Sequence, residues 1–490
     1  MYRIVCSLCF VLAIILYSTE ATPLDDYVNT PDIHFAWQRL KTYAFPTYKL
    51  YILNMTSQKW FDASFSSQPI WWHHMIITVP RVLRRSQIAF LFIDGGDNTD
   101  PIPTSSVVTA LALSTGSVAV ELKQVPNQPM RFMADPTQQS RTEDAIIAWT
   151  WKIFIEQNGT NPYILLRMPM TKAAVRAMDT TEQLLKQEGF PVPQNFVVAG
   201  LSKRGWTTWT TAAVNNQRVL AAVPIVLDIL NLQKNMMHHY RSLAGWTFVF
   251  KDYHELNITR YLNNPNLQKL ATIVDPYSYF DRYAQVKLFQ LQGANDEFFL
   301  PDSEDYFWDD LQVKTGGSYL RRIPNTGHNI QGYQESLQSF YLSIADKQIL
   351  PSFKWTRTIN ETHGQILAVV DFSSGQPKPI NVTAYQARTV TGTKRDFRQA
   401  KLDPDTGKVI SNPVVWLNMP VQVETQTSTS ITYSYTAPLP PNGYWDGMFI
   451  QVTFPGREST TLDLTTETLT LPNTFPVEPC TGDDCYGTLC

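Results

Sequence analysis

Cysteine is scarce in this sequence, with 5 in 490 residues, and the scarcity limits how the chain can be held together. Two of them, Cys6 and Cys9, fall in an apolar N-terminal stretch, and the other three crowd into the final segment, "CTGDDCYGTLC". Because so few and so clustered cysteines cannot cross-link a large core, the folded domains must be stabilised by packing.

An excess of charge of one sign is also lacking: the formal net charge is -3, with acidic and basic residues interspersed. This balance gives no electrostatic footprint for nucleic acid or for an anionic membrane.

Long hydrophobic runs are absent beyond the N-terminus. Residues 1–21 combine Arg3, the apolar run "CFVLAIILY" and small residues, which is the layout of a secretory signal peptide cut after Ala21. No later stretch is long and apolar enough to span a bilayer, so we expect a secreted, extracellular protein without a membrane span. Five N-x-[ST] sequons fit a secreted glycoprotein, at Asn54, Asn158, Asn257, Asn360 and Asn381.

The tail, residues 476–490, carries an odd number of cysteines: Cys480, Cys485 and Cys490. In an oxidising compartment this predicts one local disulfide and a thiol that is free or pairs with another chain. A zinc site is disfavoured, because it needs four ligands and no histidine lies nearby. Since the tail follows the last predicted strand and closes only short loops, we expect it to be dispensable for the folded core.

Short buried strands alternate with helices between residues 22 and 349. The runs "QIAFLFIDGG", "NFVVAG" and "VKLFQLQG" are typical of buried strands, and "TEDAIIAWTWKIFIEQNG" of a helix. This alternation predicts an α/β fold with a mostly parallel sheet covered on both faces. After residue 350 helical periodicity stops, and β-rich runs up to residue 475 predict a smaller, sandwich-like domain.

Residues 229–275 interrupt the α/β pattern with helical, aromatic-rich pieces, and we expect them to form a cap over the carboxyl ends of the strands. Four aromatic residues of this cap could line an apolar pocket or pack on the sheet: Trp246, Phe248, Phe250 and Tyr253. Packing on the sheet is the favoured alternative.

Ser202 stands between a β-branched strand and a helix in "VVAGLSKRGWTTWT", residues 197–210. A serine at a tight strand-to-helix turn has its hydroxyl pushed clear of the sheet, and the usual pattern is G-x-S-x-G. Here Gly200 provides the first glycine, but Arg204 occupies the place of the second, and Gly205 follows one residue later. Ser202 is therefore a candidate nucleophile, with a plain helix N-terminal cap as the alternative.

The partners that a nucleophilic serine needs follow in the order serine, acid, histidine. Asp296 comes directly after the strand "VKLFQLQG", and His328 follows the strand "YLRRIP" in "NTGHN". His328 would act as general base and Asp296 would hold its tautomer. Two other acids remain open: Asp228, which ends the strand after the nucleophile, and more weakly Asp302, which is better explained as the cap of the helix that it precedes.

An oxyanion needs about two backbone N–H donors. The Lys203 N–H follows the nucleophile at a helix N-terminus, where the helix dipole favours negative charge. Gly95 and Gly96 in "FLFIDGGDN" are candidates for the second donor. A tight turn or a cation-binding loop is the alternative for this segment. No cofactor and no metal site is predicted.

The segments "GLSKRGWTTWTTAAV", "VPIVLDILN", "GANDEFFLPDS" and "PNTGHN" resemble the PhoPQ-activated pathogenicity-related protein family. The resemblance covers most of residues 25–475 and implies an α/β-hydrolase-like domain followed by a β-rich domain, with Arg204 as the family's own variant. Two functions stay open: a secreted serine hydrolase acting on an ester or peptide, and a secreted signalling protein that keeps the hydrolase frame and binds a cell-surface receptor.

Overall fold

The computed structural model describes residues 21–315 and 317–490. The predicted signal peptide lies outside the described residues except for its last residue, Ala21. Within the described ranges, no helix has the length and apolar character needed to cross a membrane.

The largest sheet of the described chain has nine strands in the order β1-β2-β3-β5-β4-β6-β7-β8-β9. From β5 through β9 all neighbouring strands pair in parallel, whereas β1, β2 and β3 form an antiparallel edge. The strands are β1 (Ala36–Ala44), β2 (Tyr48–Lys59), β3 (Ile70–Pro80), β4 (Ile88–Ile93), β5 (Val118–Leu122), β6 (Asn195–Leu201), β7 (Val219–Ile225), β8 (Lys287–Gly293) and β9 (Ser318–Ile323).

Helices cover both faces of this sheet. In β6, Phe196 and Val198 join one hydrophobic core, while Val197 and Ala199 join another, because successive strand residues point to opposite faces. The helices are α1 (Pro23–Asn29), α2 (Thr109–Thr115), α3 (Glu143–Glu156), α4 (Arg167–Gln187), α5 (Lys203–Val214), α6 (Leu232–Leu243), α7 (Lys251–Glu255), α8 (Pro265–Val274), α9 (Trp308–Lys314) and α10 (Gln334–Ala345). A mostly parallel sheet covered in this way, with a serine-bearing turn between β6 and α5, is the α/β-hydrolase arrangement, which confirms the predicted fold class.

Between β7 and β8 the chain leaves the sheet and builds the cap from α6, α7, α8 and short 3-10 turns. The cap contacts the body of the domain through specific bonds. The Trp206 indole of α5 donates to the Val274 carbonyl, and the Tyr253 hydroxyl donates to Asp144 Oδ1 at 3.0 Å.

The C-terminal region consists of antiparallel sheets. One has the order β10-β11-β17-β16 and another β15-β12-β18-β19, with β20 also pairing with β18. Ile366 and Ala368 of the first sheet share a core with Met448 and Ile450 of the second. The strands are β10 (Ser352–Ile359), β11 (His363–Asp371), β12 (Asn381–Arg388), β13 (Ala400–Leu402), β14 (Val409–Ser411), β15 (Leu417–Met419), β16 (Gln422–Gln426), β17 (Ser430–Pro438), β18 (Asp446–Pro455), β19 (Thr461–Thr465) and β20 (Leu469–Leu471).

The tail is packed into the cap, which counts against the expectation that it is dispensable. Cys480 and Cys485 form the local disulfide. The Trp246 N–H donates to the Thr488 carbonyl at 2.8 Å, and the Cys490 N–H donates to the Trp246 carbonyl at 2.8 Å. The Cys490 thiol is buried against the cap, so pairing with another chain would require the tail to detach. The prediction from sequence used only the size of the loops that the tail cysteines close, and this size carries no information about the tertiary contacts of the tail.

The five sequons differ in accessibility. Asn158, Asn257, Asn360 and Asn381 are exposed, whereas Asn54 is half-buried in the middle of β2 and pairs with strands on both sides. Glycosylation stays a prediction, and the structure favours the four exposed sites.

Candidate active site

Ser202 occupies the turn between β6 and α5 in a backbone conformation that serine rarely adopts, with φ 57° and ψ -127°. Such a conformation costs about 1–3 kcal/mol and persists only where surrounding contacts hold it. Here the Ser202 N–H donates to the Ile225 carbonyl of the neighbouring strand at 2.8 Å. The turn therefore lifts the hydroxyl off the edge of the sheet, as the sequence predicts for a nucleophile.

The displaced glycine has a packing explanation. A Cβ on Gly200 would lie 2.7 Å from the Arg204 carbonyl oxygen and 2.9 Å from the Arg204 Cβ. A Cβ on Gly205 would lie 2.9 Å from the Ile225 carbonyl oxygen. Gly205 thus allows the close approach of α5 to β7, and the absence of a side chain at Gly200 leaves room for Arg204.

His328 lies between Ser202 and Asp296. Its Nε2 is 2.8 Å from Ser202 Oγ, and its Nδ1 is 2.9 Å from Asp296 Oδ2. Asp296 is 2 % exposed, and its Oδ1 accepts from the Phe298 N–H at 2.7 Å. The Phe298 ring packs on the imidazole, with ring centroids 4.3 Å apart. The structure brings together the three residues that the sequence singled out for nucleophilic chemistry.

The two alternative acids lie elsewhere. Asp228 is fully buried, and its Oδ2 accepts from Arg322 Nη2 at 2.9 Å rather than from His328. Burial raises the pKa of Asp228 to about 6, against the opposing effect of Arg322. Glu304 shares the same guanidinium, and burial raises the pKa of its carboxyl as well.

Asp302 does not cap the short helix that follows it, and that interpretation is wrong. Its carboxylate accepts from Thr470 Oγ1 at 2.8 Å, lies 2.8 Å from His238 Nε2 and is paired with Arg395. Asp302 therefore connects the cap, the loop after β8 and the C-terminal region. These partners lie far away in the sequence, so a local cap signal could not reveal them.

The predicted oxyanion loop stands next to the serine turn. β4 and β6 pair with Ile93 opposite Gly200, so the residues after each lie at the same edge of the sheet. A Cβ on Gly95 would lie 2.7 Å from the Arg204 guanidinium, and Gly96 has φ +119°. The Gly95 N–H donates to Asp94 Oδ1 at 2.8 Å and would have to give up that bond to bind an oxyanion. The Lys203 N–H is the first of α5 and has no acceptor within the helix.

The contacts of the carboxylates in this loop favour the turn over the cation-binding alternative. Asp94 Oδ2 accepts from Lys123 Nζ at 2.9 Å, and Asp100 Oδ2 accepts from the Asp97 N–H at 2.8 Å. Across residues 21–315 and 317–490, no group of three or more His, Cys, Asp or Glu side chains is arranged to hold a metal ion.

A charged network around α5 was missed by the sequence reasoning. Arg204 donates to Glu143 Oε1 and to the Val125 carbonyl, both at 2.6 Å. Lys203 Nζ lies 2.9 Å from Glu143 Oε2 and 3.0 Å from Asp144 Oδ2. Although burial opposes it, the two cations lower the pKa of Glu143 to about 2. In the sequence, "TED" and "SKRG" predict a helix start and a serine turn, and they carry no signal that the two segments meet.

A narrow apolar cavity adjoins Ser202 beneath the cap. The volume of this cavity is about 50 Å³. Phe250 and Tyr253 line it, against the expectation that they pack on the sheet. Trp246 is fully buried, packs next to Phe250 and donates to the Cys485 carbonyl of the tail. The other apolar walls include Trp151, Trp206, Leu232, Met236 and Ile258.

Two relationships emerge when the sequence is compared with known proteins. The model of the PhoPQ-activated pathogenicity-related protein family matches residues 24–398. Autocrine proliferation repressor protein A of Dictyostelium discoideum is 37% identical over 492 residues, which cover 98% of this chain and 96% of that protein.

Solved structures with a similar fold have little sequence in common with the chain. An acetyl xylan esterase from Paenibacillus sp. R4 is 12% identical, with a TM-score of 0.46, over 65% of this chain and 91% of the esterase. A Pyrococcus horikoshii acylaminoacyl peptidase is 11% identical, with a TM-score of 0.39, over 64% of this chain and 49% of the peptidase.

Proposed function

This chain belongs to the PhoPQ-activated pathogenicity-related protein family, and from that premise we propose that it is a secreted serine hydrolase of the esterase or peptidase type. The observation that carries the proposal is the unbroken line of contacts from Ser202 Oγ through His328 to Asp296. Secretion is supported by the signal-like residues 1–21 and by the autocrine character in the relative's name.

The proposed reaction is acyl transfer through Ser202. His328 Nε2 takes the hydroxyl proton while Ser202 Oγ attacks the carbonyl carbon, and Asp296 stabilises the imidazolium. The Lys203 N–H and the loop at Gly95 and Gly96 would stabilise the oxyanion. The bond to the leaving group breaks as His328 returns the proton to that group. Water then attacks the acyl group with His328 as the base, and the acid leaves as Ser202 Oγ regains its proton from His328.

A second serine–histidine contact offers a matched control. Ser57 Oγ lies 3.0 Å from His73 Nε2, but both residues are fully buried. His73 Nδ1 faces the Lys123 carbonyl instead of a carboxylate, and burial lowers the pKa of His73 to about 4. Ser57 therefore has a histidine neighbour but neither an acid behind it nor access to substrate.

Ester hydrolysis by purified protein tests the proposal. We expect wild type and Ser57→Ala to hydrolyse p-nitrophenyl acetate, and Ser202→Ala to lose at least about 10³-fold in kcat/KM. Equal activity of folded Ser202→Ala and wild type would contradict the proposal, as would no activity in any of the three proteins together with no fluorophosphonate labelling of Ser202.

The relative's name supports a second candidate, a secreted signal that represses proliferation. A signal of this kind acts through its surface, whereas a hydrolase acts through Ser202. If conditioned medium containing the protein slows cell proliferation, the hydrolase proposal predicts that folded Ser202→Ala loses this effect. Full potency of Ser202→Ala at matched concentration would favour the signalling function.

A further inference from the structure

We propose that the cavity beside Ser202 is an acyl pocket for short, uncharged, apolar acyl groups, so that the preferred substrates are esters of short-chain carboxylic acids. This inference rests on the serine hydrolase function proposed above and adds the substrate class. Three features of the cavity carry it: its position, its polarity and its width.

The position of the cavity favours the acyl side of the substrate. Its wall includes Ser202 and Lys203 but not His328. The leaving oxygen must lie beside the histidine that protonates it, and the oxyanion must lie beside the Lys203 N–H. A group that fills the cavity therefore stays attached to Ser202 when the leaving group departs.

The polarity of the cavity favours an uncharged acyl group. Apolar side chains reach it from the body of the domain and from the cap, among them Trp206 and Met236. The charged groups in its wall already have partners: Asp144 Oδ2 lies 3.0 Å from Lys203 Nζ, and Asp144 Oδ1 accepts from the Tyr253 hydroxyl. A carboxylate or ammonium on the acyl chain would lose its hydration without gaining an unpaired partner.

The width of the cavity limits the chain length. The cavity volume is only about 50 Å³, so the cavity is a narrow slot. Phe298 and Phe250 pack against each other in its wall, with ring centroids 6.1 Å apart, and so close one side of the cavity. Each buried methylene contributes about 0.8 kcal/mol, roughly a fourfold gain in kcat/KM, until the slot is full.

A series of p-nitrophenyl esters tests this inference, with acetate, butyrate, hexanoate, dodecanoate and hemisuccinate as the probes. We expect kcat/KM to rise about tenfold from acetate to butyrate, and to fall by dodecanoate. Hemisuccinate, of the same chain length as butyrate but charged, should react at least tenfold more slowly than butyrate. The reaction forms the carbonyl carbon–Oγ bond and releases p-nitrophenol, with the Ser202 proton passing through His328.

Met236→Trp and Met237→Trp form a matched pair of variants. Both residues lie half-buried in α6, but only Met236 lines the cavity. We expect Met236→Trp to bring the butyrate-to-acetate ratio of kcat/KM close to one, and Met237→Trp to keep the wild-type ratio. Melting curves check that both variants fold.

The outcomes separate this inference from the function on which it rests. If wild type hydrolyses the esters through Ser202 but kcat/KM does not rise from acetate to butyrate, or Met236→Trp leaves the ratio unchanged, the acyl pocket is wrong while the hydrolase function stands. If hemisuccinate matches butyrate, the uncharged class is wrong. If no ester is hydrolysed and a fluorophosphonate does not label Ser202, the hydrolase function and the pocket both fail.

Discussion

Replacing Asp296 by asparagine should abolish the correct tautomer of His328 while leaving the fold intact. Asp296 Oδ1 accepts from the Phe298 N–H at 2.7 Å and from the Phe299 N–H at 3.2 Å. An asparagine must keep its carbonyl oxygen there, so its NH₂ group takes the place of Oδ2 and faces His328 Nδ1. The imidazole proton then moves to Nε2, which donates to Ser202 Oγ and can no longer accept the hydroxyl proton.

The expected loss is about 10⁴-fold in kcat, which corresponds to about 5.4 kcal/mol in the activation free energy. The control is Asp228→Asn, which changes an equally buried acid that contacts Arg322 instead of the histidine. Stopped-flow measurement of acylation by p-nitrophenyl butyrate, with melting curves for both variants, provides the assay. A large loss in Asp228→Asn together with a small loss in Asp296→Asn would refute the assignment of the acid.

Three further predictions concern the tail, the charged network and the glycans. Truncation before Cys480 should lower the melting temperature and expose the cap to proteolysis, since Trp246 loses its hydrogen-bond partners in the tail. An unchanged melting curve and an unchanged digestion pattern would contradict this prediction. Glu143→Gln should cost about 1–2 kcal/mol at pH 7, a value reduced because the Glu143 side chain is 34% exposed. The pKa of Glu143 is lower in the folded than in the unfolded chain, so the stabilisation by Glu143 is present above about pH 4.5 and is lost as the pH falls towards 2. A difference between wild-type and variant stabilities that widens on acidification would refute this prediction. Peptide mapping after deglycosylation should find occupied sequons among the four exposed sites and an empty one at Asn54, and a glycan on Asn54 would contradict the burial argument.

The serine–histidine–aspartate cluster could be predicted from sequence because parallel strands gather their carboxyl ends at one edge of a sheet. Ser202, Asp296 and His328 each follow the end of a recognisable buried strand, at β6, β8 and β9. Strand detection and chain order were therefore enough to predict that they meet. The same reasoning predicts the adjacent loop at Gly95 and Gly96, because β4 lies beside β6.

Contacts between distant segments were not predictable in this way. Asp302 looks locally like a helix cap, but it is bound by a cap histidine and by two residues of the C-terminal region. The tail looks like a loose appendage, but its backbone pairs with Trp246. Arg204 looks like a defect in a glycine motif, but it is held by Glu143, which lies 61 residues earlier. Periodicity and turn signals in a sequence predict local structure only. The partners of these residues lie on other elements of the chain, and only the tertiary fold determines where those elements lie.

The most direct test of the central claim is the mass of the protein after reaction with a fluorophosphonate probe, followed by peptide mapping. The account predicts one probe per wild-type chain, attached to Ser202 in the peptide that spans the β6–α5 turn. It also predicts the same labelling in Ser57→Ala and none in Ser202→Ala. A folded wild-type protein that remains unlabelled, or a label on any residue other than Ser202, would contradict the claim that Ser202 is an activated nucleophile.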